Sequence, residues 1–393
     1  MGLFDLKYIG ILILSVIGYM GYNIYTVLDF SRENHLLNAS KCRIIKGIIG
    51  GEDVIKFGKF LITGSDDRMK MWELPNFTAD QVTNGGLFLI EPESEKIRKL
   101  ELADFPKDVA FHPHGMYFTK NQLLYVINHA YTKGGERVEV FGLNEGTESN
   151  FETLAINYKY SIKFDDIHNG RINDLVVTET GENKDEFYIT SYLPFADPIE
   201  GRSRSVISKI KNFGALGLGL KLSYVYYCKG VYVKNVAHCQ QIKSEKVNAY
   251  INNGITYNRK TNLIYIARTL NKSVGVFKID ENNASNLIHI NEITLHNNPD
   301  NVEYDEENNS ITIGMLTLTG QLNYVEKTIK GEFSFDHNDI CWGGAEKINV
   351  DTNESQQVVT VNNKYCGFSS AYQYKNKMFM GSWAFDGLLV CDV

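Results

Sequence analysis

Proline and basic charge are both scarce in this chain, and each shortage argues against a class of protein. Only 7 of the 393 residues are proline while 43% are hydrophobic, so the chain can bury a large core and is not disordered. Acidic residues outnumber basic ones by 47 to 40, which gives a net charge of -7. Because no basic stripe offsets this balance, the sequence argues against a nucleic-acid partner.

Several common catalytic motifs are also missing. The chain has no His-Glu-x-x-His zinc helix, no phosphate-binding P-loop and no dinucleotide fingerprint. The segment Gly367-Phe368-Ser369-Ser370-Ala371 only approximates the nucleophile turn of serine hydrolases. Any chemistry must therefore come from residues that are scattered along the sequence and gathered by the fold.

The N-terminus lacks charge. No charged residue occurs from Tyr8 to Leu28, a length close to the roughly 20 residues that span a bilayer. No small-x-small cleavage site follows, which favours an uncleaved signal anchor over a cleaved signal peptide. We therefore predict an anchor at 1–28, a linker at 29–41 and one domain at 42–393. Either kind of N-terminal segment predicts a membrane-anchored or secreted protein whose domain lies outside the cytosol.

Sequons and cysteines fit that location. Glycosylation is predicted at Asn76, Asn271 and Asn308, and further sequons begin at Asn38, Asn283 and Asn353. Six cysteines are disulfide candidates, and six allow 15 connectivities. Cys42 and Cys391 flank the rest of the domain, so a bond between them would join its two ends. The pairing of Cys228, Cys239, Cys341 and Cys366 is left open.

From Cys42 onwards the chain repeats one unit six times. Each copy has a polar head, a short β-type run, a turn and a second apolar run, as in Ile255–Tyr257 followed by Leu263–Ala267. Copies 45–80 residues apart fit four-stranded propeller blades better than sandwich strands. The sequence predicts an all-β, six-bladed β-propeller preceded by a transmembrane helix. The heads are Glu52-Asp53, His114-Gly115, Asn173-Asp174, Asn253-Gly254, Asp300-Asn301 and Ser369-Ser370.

The heads supply oxygen ligands to one spot. In a propeller the innermost strand of each blade lines the central tunnel, so the heads meet at a common mouth. Carboxylate and amide oxygens without thiolates suit calcium better than zinc or copper. The predicted ligands of a first calcium are Glu52, Asn173, Asn253, Asp300 and Asn301. Asp53 and Asp174 follow directly and point the other way, which predicts a second, deeper calcium held with a main-chain carbonyl.

Two histidines are candidate catalytic residues. His114 opens the second copy, and His129 ends the second strand of the same hairpin. A neutral imidazole near pH 7 can take a proton from water, and a neighbouring ring can orient it. Two histidines in strands are more often structural, so this interpretation depends on their position beside the predicted calcium. A calcium-bound water activated by a carboxylate ligand such as Glu52 or Asp300 is an alternative to the histidine base.

The longest gap between copies is the insertion 194–222. It contains the apolar, glycine-rich run 213–220. Two interpretations are open: a buried loop or core helix, and a contact with the membrane surface next to the N-terminal anchor.

The ordered set of motifs resembles a known family. It comprises Cys42 with Lys46-Gly47-Ile48 and Glu52-Asp53, Pro113-His114-Gly115, Val126-Ile127-Asn128-His129, Ile172-Asn173-Asp174, Asn253-Gly254-Ile255, Asp300-Asn301 and Cys391. From Cys42 to Val393 the chain resembles the serum paraoxonase/arylesterase family of calcium-dependent lactonases.

The resemblance implies specific roles for these residues. It implies a catalytic calcium on the five first-site ligands and a structural calcium on Asp53, Asp174 and the main-chain oxygen of Met116. It further implies a His114–His129 dyad, a Cys42–Cys391 disulfide and a membrane-lying segment around Leu216 and Leu220.

The pocket wall departs from the family pattern. Thr190–Leu193 stands where the family carries an Asp-His pair, and Gly314–Leu316 stands where it carries a pocket histidine. The sequence thus predicts a membrane-anchored, calcium-dependent lactonase or arylesterase with a changed pocket, acting on a small ester or lactone. The alternative is a non-catalytic, calcium-stabilised propeller that serves as a binding or lipid-associated module. Neither the natural substrate nor the oligomeric state follows from the sequence.

Overall fold

The structure is a computed structural model that describes most of the chain. It describes residues 3–28, 34–73, 83–130, 133–144, 150–164, 171–178, 186–195, 206–231, 236–318, 341–362, 365 and 367–393. The helices in these ranges are α1 (Leu3–Leu28), α2 (Arg68–Glu73) and α3 (Val206–Gly217), with short 3-10 helices at Ala39–Lys41 and Thr269–Asn271.

Within these ranges the strands form six four-stranded blades, of which the second and third join edge to edge in one larger sheet, and this confirms the predicted propeller. Each blade begins with its innermost strand, and neighbouring strands within a blade pair antiparallel. Blade 1 contains β2 (Gly51–Phe57), β3 (Phe60–Ser65), β4 (Gly86–Glu91) and β5 (Lys96–Lys99). A two-residue strand, β6 (Leu102–Ala103), follows. Blade 2 contains β7 (Pro113–Phe118), β8 (Leu123–Ala130), β9 (Gly135–Leu143) and β10 (Ile156–Phe164).

The remaining blades repeat the pattern. Blade 3 contains β11 (Arg171–Val177), β12 (Glu186–Leu193), β13 (Val225–Val231) and β14 (Val236–Gln241). Blade 4 contains β15 (Asn252–Asn258), β16 (Leu263–Arg268), β17 (Ser273–Asp280) and β18 (Asn283–Thr294). Blade 5 contains β19 (Asn298–Asp305), β20 (Ser310–Leu316), β21 (Trp342–Asn349) and β22 (Glu354–Asn362). Blade 6 contains β23 (Phe368–Tyr374), β24 (Lys377–Ser382) and β25 (Asp386–Asp392), and its outermost strand is β1 (Cys42–Ile49).

The ring closes because β1 comes from the opposite end of the chain. It pairs antiparallel with β25, and Cys42 lies directly opposite Cys391 in the register. These two cysteines form a disulfide, which confirms the predicted pair. A bond that closes so long a loop stabilises the folded ring by about 2–5 kcal/mol, mainly by restricting the unfolded chain.

The hydrophobic core is divided among the blade interfaces. One cluster packs blade 1 against blade 2 through Ile55, Phe57 and Phe141, and another packs blade 6 against blade 1 through Val54 and Phe379. Comparable clusters fill the other interfaces. Because both faces of each blade are covered, strands are apolar on both sides and polar residues concentrate at the tunnel.

Helices α1 and α3 pack against each other beside the ring. Helix α1 contains a stretch, Tyr8–Leu28, that is long and apolar enough to cross a membrane by length and composition. Asn23 Nδ2 in α1 donates to the carbonyl oxygen of Gly217 in α3 (2.9 Å). Helix α3 lies in the 194–222 insertion and ends within the 213–220 run. Phe213 in α3 is 54% exposed whereas Ala215 is buried, so only one side of this helix packs on the protein.

The remaining cysteines and sequons fall in several settings. Cys228 and Cys239 form a cross-strand disulfide between β13 and β14, and Cys341 is also disulfide-bonded. Asn76 and Cys366 lie outside the described residues. Asn308 is exposed at a turn, and Asn271 is partly buried at the end of a 3-10 helix. Glycosylation and the division into anchor, linker and domain stay predictions.

Candidate active site and metal centre

Every innermost strand carries a bulge where the sequence predicted a head. Pairing with the second strand is interrupted in all six strands, and every head lies inside its interruption except Ser370, which pairs with Gly381 at the end of the sixth one. Because a bulge takes residues out of the ladder and redirects their side chains, the six heads can turn towards the tunnel. The interruptions fall between Gly51 and Val54, Pro113 and Met116, Ile172 and Leu175, Asn252 and Ile255, Pro299 and Val302, and Phe368 and Ser370.

Two glycines allow the heads of neighbouring blades to touch. A Cβ on Gly115 would lie 2.5 Å from the carbonyl oxygen of Asn173, and one on Gly254 would lie 2.5 Å from Cα of Asn301. Both distances are far too short for a side chain. The absence of a side chain at these positions brings the predicted ligands of successive blades into contact around the tunnel axis. We call this end of the tunnel, where the innermost strands begin, the first mouth.

The predicted first-site ligands are all buried at the first mouth. Glu52, Asn173, Asn253, Asp300 and Asn301 are each at most 7% exposed. The side-chain oxygens of the three asparagines have no hydrogen-bond partner in the described part of the chain. Buried amide oxygens that make no hydrogen bond cost free energy unless something else satisfies them. This set of hard oxygen donors fits a calcium ion, and no thiolate lies among them.

The deeper pair of acids is buried as well. Asp53 Oδ2 accepts a hydrogen bond from the Met116 N–H (2.8 Å), and Asp174 Oδ2 accepts one from the Ile255 N–H (2.8 Å). Asp53 Oδ1 has no hydrogen-bond partner in the described residues. Burial, and then the charge of Glu52, raise the pKa of Asp53 to about 8, while burial and Asp53 raise the pKa of Asp174 well above its usual value. A cation between them would restore their ordinary ionised state.

The carboxyl groups are nevertheless spread out. In the described ranges no group of three or more His, Cys, Asp or Glu side chains is close enough to hold a metal ion by itself. The first set contains only two acids, Glu52 and Asp300, and its other members are amides. Any ion there depends on amide and main-chain oxygens or on water, as is common for calcium.

The histidine pair forms a compact group beside Glu52. The rings of His114 and His129 meet edge to face with centroids 4.6 Å apart. His114 Nδ1 lies 3.0 Å from the carbonyl oxygen of Asn173 and 3.0 Å from Glu52 Oε2. Both neighbours are acceptors, so Nδ1 carries the proton and Nε2 is the basic nitrogen. Burial, with the charge of Arg68, holds the pKa of His114 well below its usual value, so the ring is neutral at pH 7.

His129 has an acid beside it that sequence reasoning missed. Its Nδ1 lies 3.0 Å from Oε1 of Glu136, at the start of the next strand, β9. Burial raises the pKa of Glu136 to about 7, although Arg171 opposes the shift. Glu136 lies opposite His129 in the register, so the pairing of β8 with β9 could have indicated this contact.

Arg68 is the second residue that the repeat pattern did not reveal. It begins helix α2, directly after the second strand of blade 1. Its Nη2 lies 3.0 Å from Glu52 Oε2 and donates to the carbonyl oxygen of Pro113 (2.8 Å). Asp66, two residues earlier, lies 3.8 Å from Arg68 Nε through its Oδ2, and its Oδ1 contacts His112 Nδ1 at 2.8 Å. Arg68 thus ties the first head to the residue that precedes His114.

A tyrosine and an arginine occupy the wall where the sequence departs from the family pattern. The Tyr192 ring is nearly parallel to that of His114, with centroids 6.4 Å apart. Arg171 Nη1 donates to the Tyr192 hydroxyl (2.8 Å). The histidines are therefore flanked by Arg68 on one side and Arg171 on the other, and both charges help to lower their pKa values.

Fold and site together define a six-bladed propeller protein with a buried polar site on its axis. Residues 35–334 match the arylesterase family. Since this match spans more than half of the chain, the chain belongs to the arylesterase family, and it is a hydrolase of the ester and lactone class. The family resemblance predicted from the motifs is confirmed.

Solved structures with similar folds are distant. A gluconolactonase from Xanthomonas campestris aligns at 11% identity and a TM-score of 0.47, covering 90% of each chain. A luciferin-regenerating enzyme aligns at 9% identity and a TM-score of 0.44, covering 90% of this chain and 95% of its own. The fold assignment rests on the strand pairing of this chain and not on these likenesses. No curated protein matches the sequence.

Proposed function

We propose that the chain is a membrane-anchored, calcium-dependent hydrolase of lactones or aryl esters, with His114 as general base. The observation that carries the proposal is the coincidence of two arrangements at the first mouth. The first arrangement is the set of buried ligand oxygens, and the second is the neutral histidine. Glu52 connects them, because it belongs to the ligand set and its Oε2 lies 3.0 Å from His114 Nδ1. Family membership supports the reaction class, and the departures at the pocket wall leave the substrate range open.

The residues that would hold a catalytic calcium are Glu52, Asn173, Asn253, Asp300 and Asn301. Asp53, Asp174 and the main-chain oxygen of Met116 would hold a structural one. A calcium ion at the first site would polarise the substrate carbonyl and stabilise the negative charge that develops on its oxygen.

His114 would take a proton from the attacking water. Its Nδ1 faces two acceptors, so Nε2 has the free lone pair that a general base needs. The lowered pKa of His114 keeps this nitrogen unprotonated at neutral pH. His129, with Glu136 at 3.0 Å from its Nδ1, packs against the His114 ring and holds it in place.

A lactone panel tests the proposal. The full-length protein, purified in detergent, is assayed for hydrolysis of aliphatic lactones and aryl esters, with calcium and after treatment with a chelator. We expect turnover that is lost on chelation and restored by calcium. Asn253→Ala should lower activity at least 100-fold, whereas Asn282→Ala at an exposed turn should not. If no substrate turns over while the protein stays folded and binds calcium, the enzyme hypothesis fails and a binding module remains.

The anchor has its own test. The apolar helix α1 and the half-exposed helix α3, which contact each other, support attachment at the membrane. The Cys42–Cys391 and Cys228–Cys239 disulfides support a propeller outside the cytosol. Mass spectrometry of the mature N-terminus should detect residues preceding Tyr8. A mature chain that begins beyond Leu28 would instead indicate a cleaved signal peptide.

A further inference from the structure

The second strand of blade 3 has an extra residue where it reaches the first mouth. Arg171 of β11 pairs with Leu193 of β12. The next residue of β11, Ile172, pairs with Ser191, so the register shifts by one residue and Tyr192 is left over. A bulge of this kind takes a residue out of the ladder and redirects its side chain. Tyr192 therefore leaves the regular alternation of β12 at the mouth.

The redirected tyrosine lies beside the proposed base. The rings of Tyr192 and His114 are within 24° of parallel, and their centroids are 6.4 Å apart. Tyr192 is partly buried, so its side chain is still reached by solvent at the mouth. Tyr192 thus belongs to the same group of side chains as the histidine pair, although no role has been given to it so far.

Arg171 holds the phenol by its oxygen. Its Nη1 donates to the Tyr192 hydroxyl (2.8 Å). A guanidinium has only donors, so the phenol oxygen is the acceptor and the phenol proton points elsewhere. In the part of the chain that the structure describes, the hydroxyl makes no other hydrogen bond. Burial raises the pKa of Tyr192 although Arg171 opposes the shift, so the phenol keeps a proton that it can donate at neutral pH.

Arg171 is itself placed by the acid that accompanies His129. Its Nε lies 4.0 Å from Oε1 of Glu136, the same oxygen that lies 3.0 Å from His129 Nδ1. The Arg171 side chain is only 11% exposed. Glu136, Arg171 and Tyr192 therefore form a row along one side of the histidine pair, and the phenol is the end of that row. A donor on the phenol oxygen also polarises the O–H bond, which makes the phenol a better donor.

Lactone hydrolysis needs a proton donor as well as a base. After water attacks the carbonyl carbon, the bond between that carbon and the ring oxygen breaks. The leaving oxygen of an aliphatic lactone is an alkoxide, a strong base that departs slowly unless it receives a proton. Tyrosine is one of the side chains that supply such a proton in enzymes.

We propose that Tyr192 is the general acid of the hydrolysis, donating its hydroxyl proton to the leaving oxygen, and that Arg171 is its positioning residue. The oxygen of the attacking water bonds to the carbonyl carbon, and a proton of that water passes to Nε2 of His114. As the carbon–oxygen bond of the ring breaks, the leaving oxygen takes the proton of Tyr192. The phenolate beside Arg171 then recovers a proton from His114 through solvent, which returns both residues to their starting states and leaves one hydroxy acid.

This inference rests on the proposed function and narrows its substrate class. A general acid helps most where the leaving oxygen is strongly basic. The site should therefore favour aliphatic lactones over aryl esters, whose phenolate leaves without a proton. The segment Thr190–Leu193, which departs from the family pattern, then supplies a donor of its own.

Leaving-group dependence tests the assignment. The kcat of the full-length protein in detergent is measured with δ-valerolactone, which leaves as an alkoxide, and with dihydrocoumarin, which leaves as a phenolate. Tyr192→Phe keeps the ring beside His114 and removes only the O–H group. It should lower kcat about 100-fold for δ-valerolactone and less than about fivefold for dihydrocoumarin. Tyr374→Phe, which loses a surface hydrogen bond to Glu93, is the matched control and should change neither rate.

Two further measurements separate catalysis from structure. Calcium affinity and thermal unfolding of Tyr192→Phe should match wild type, because the variant leaves the ligands untouched. Arg171→Lys keeps the charge but changes the donor to the phenol, and should lower kcat for δ-valerolactone about tenfold, with a smaller loss for dihydrocoumarin.

The outcomes distinguish this inference from the proposed function. The assignment of Tyr192 is overturned if Tyr192→Phe hydrolyses δ-valerolactone at the wild-type rate, or if both lactones are slowed by the same factor. In both cases the proposed function stands, since the wild-type protein still hydrolyses lactones. A wild-type protein that turns over neither lactone would contradict the proposed function and this inference together.

Discussion

The first mouth and the tunnel interior contain similar acidic residues, but these residues differ in whether a side-chain cation compensates their charge. At the first mouth, Glu52 has Arg68 at 3.0 Å, and Glu136 faces Arg171 at 4.0 Å. In the interior, Asp53 and Asp174 accept backbone hydrogen bonds but have no side-chain cation in ion-pair range among the described residues. Arginines compensate part of the charge at the mouth, whereas the interior acids have no such partner among the described residues.

This difference separates two kinds of metal dependence. At the mouth, arginines compensate Glu52 and Glu136, and of the acids described there only Asp300 depends on an ion for its charge, so an ion there serves mainly chemistry. An interior with uncompensated acids is unstable without one, since buried charges that lack a partner carry a large desolvation cost. We therefore expect metal loss to reduce stability through the interior and activity through the mouth.

The largest expected effect is on stability after chelation, and it should grow with pH. In the metal-free fold the pKa of Asp53, about 8, and the pKa of Asp174 both lie above their ordinary values. The metal-free fold therefore holds protons that the unfolded chain releases, and it loses stability as pH rises from about 4 to 8. Calcium removes this loss. Thermal unfolding should show a gap between calcium-bound and chelated protein of roughly 3–5 kcal/mol at pH 8, shrinking towards pH 5. A gap independent of pH would contradict the comparison.

Replacing the proposed base should affect only the mouth. His114→Gln should lower kcat by roughly 100- to 10,000-fold, because general-base catalysis contributes that much. Calcium affinity and thermal stability should change little, since the interior is untouched. His238→Gln, an exposed histidine of β14, serves as the control. Retention of full activity in His114→Gln would assign the base to another group.

Glu136→Gln should stabilise the protein at neutral pH while reducing activity. The pKa of Glu136 is raised to about 7, so the carboxyl group destabilises the fold as pH rises from 4.5 to 7. Glutamine has no such cost. The free energy of unfolding of the variant should therefore exceed that of wild type by up to roughly 3 kcal/mol at pH 7.5, and should equal it at pH 4.5. The orientation of His129 would suffer, with about a tenfold loss of kcat. Denaturant unfolding at the two pH values measures the gain, and an equal effect at both would rule out this origin.

Arg68→Met should leave Glu52 at the mouth without a side-chain cation, as the acids of the interior are. Without the guanidinium, Glu52 loses its cation, and the stability gap between calcium-bound and chelated protein should widen by about 1–2 kcal/mol. Arg68→Lys retains the charge and should stay near wild type. An unchanged gap in Arg68→Met would show that Arg68 does not balance the mouth.

The sequence predicted the ring and its heads because both depend on periodicity. Strand alternation, turn residues and the position of Cys42 and Cys391 at the two ends of the domain can be recognised in the sequence without any knowledge of distances. The bulges were not predictable, since two residues opposite one on the partner strand look like ordinary strand sequence. Arg68 was missed because it lies outside the repeat, in helix α2, and reaches Glu52 only through the fold.

The most direct test of the account is calorimetric titration of calcium into the stripped full-length protein at pH 7.5, combined with thermal unfolding at each added equivalent. The account predicts two ions per chain. The tighter ion should raise the unfolding temperature through the interior, and the second should add little stability but restore lactone hydrolysis. Binding of no calcium, or restoration of both stability and activity by a single ion, would contradict the separation between the interior and the first mouth.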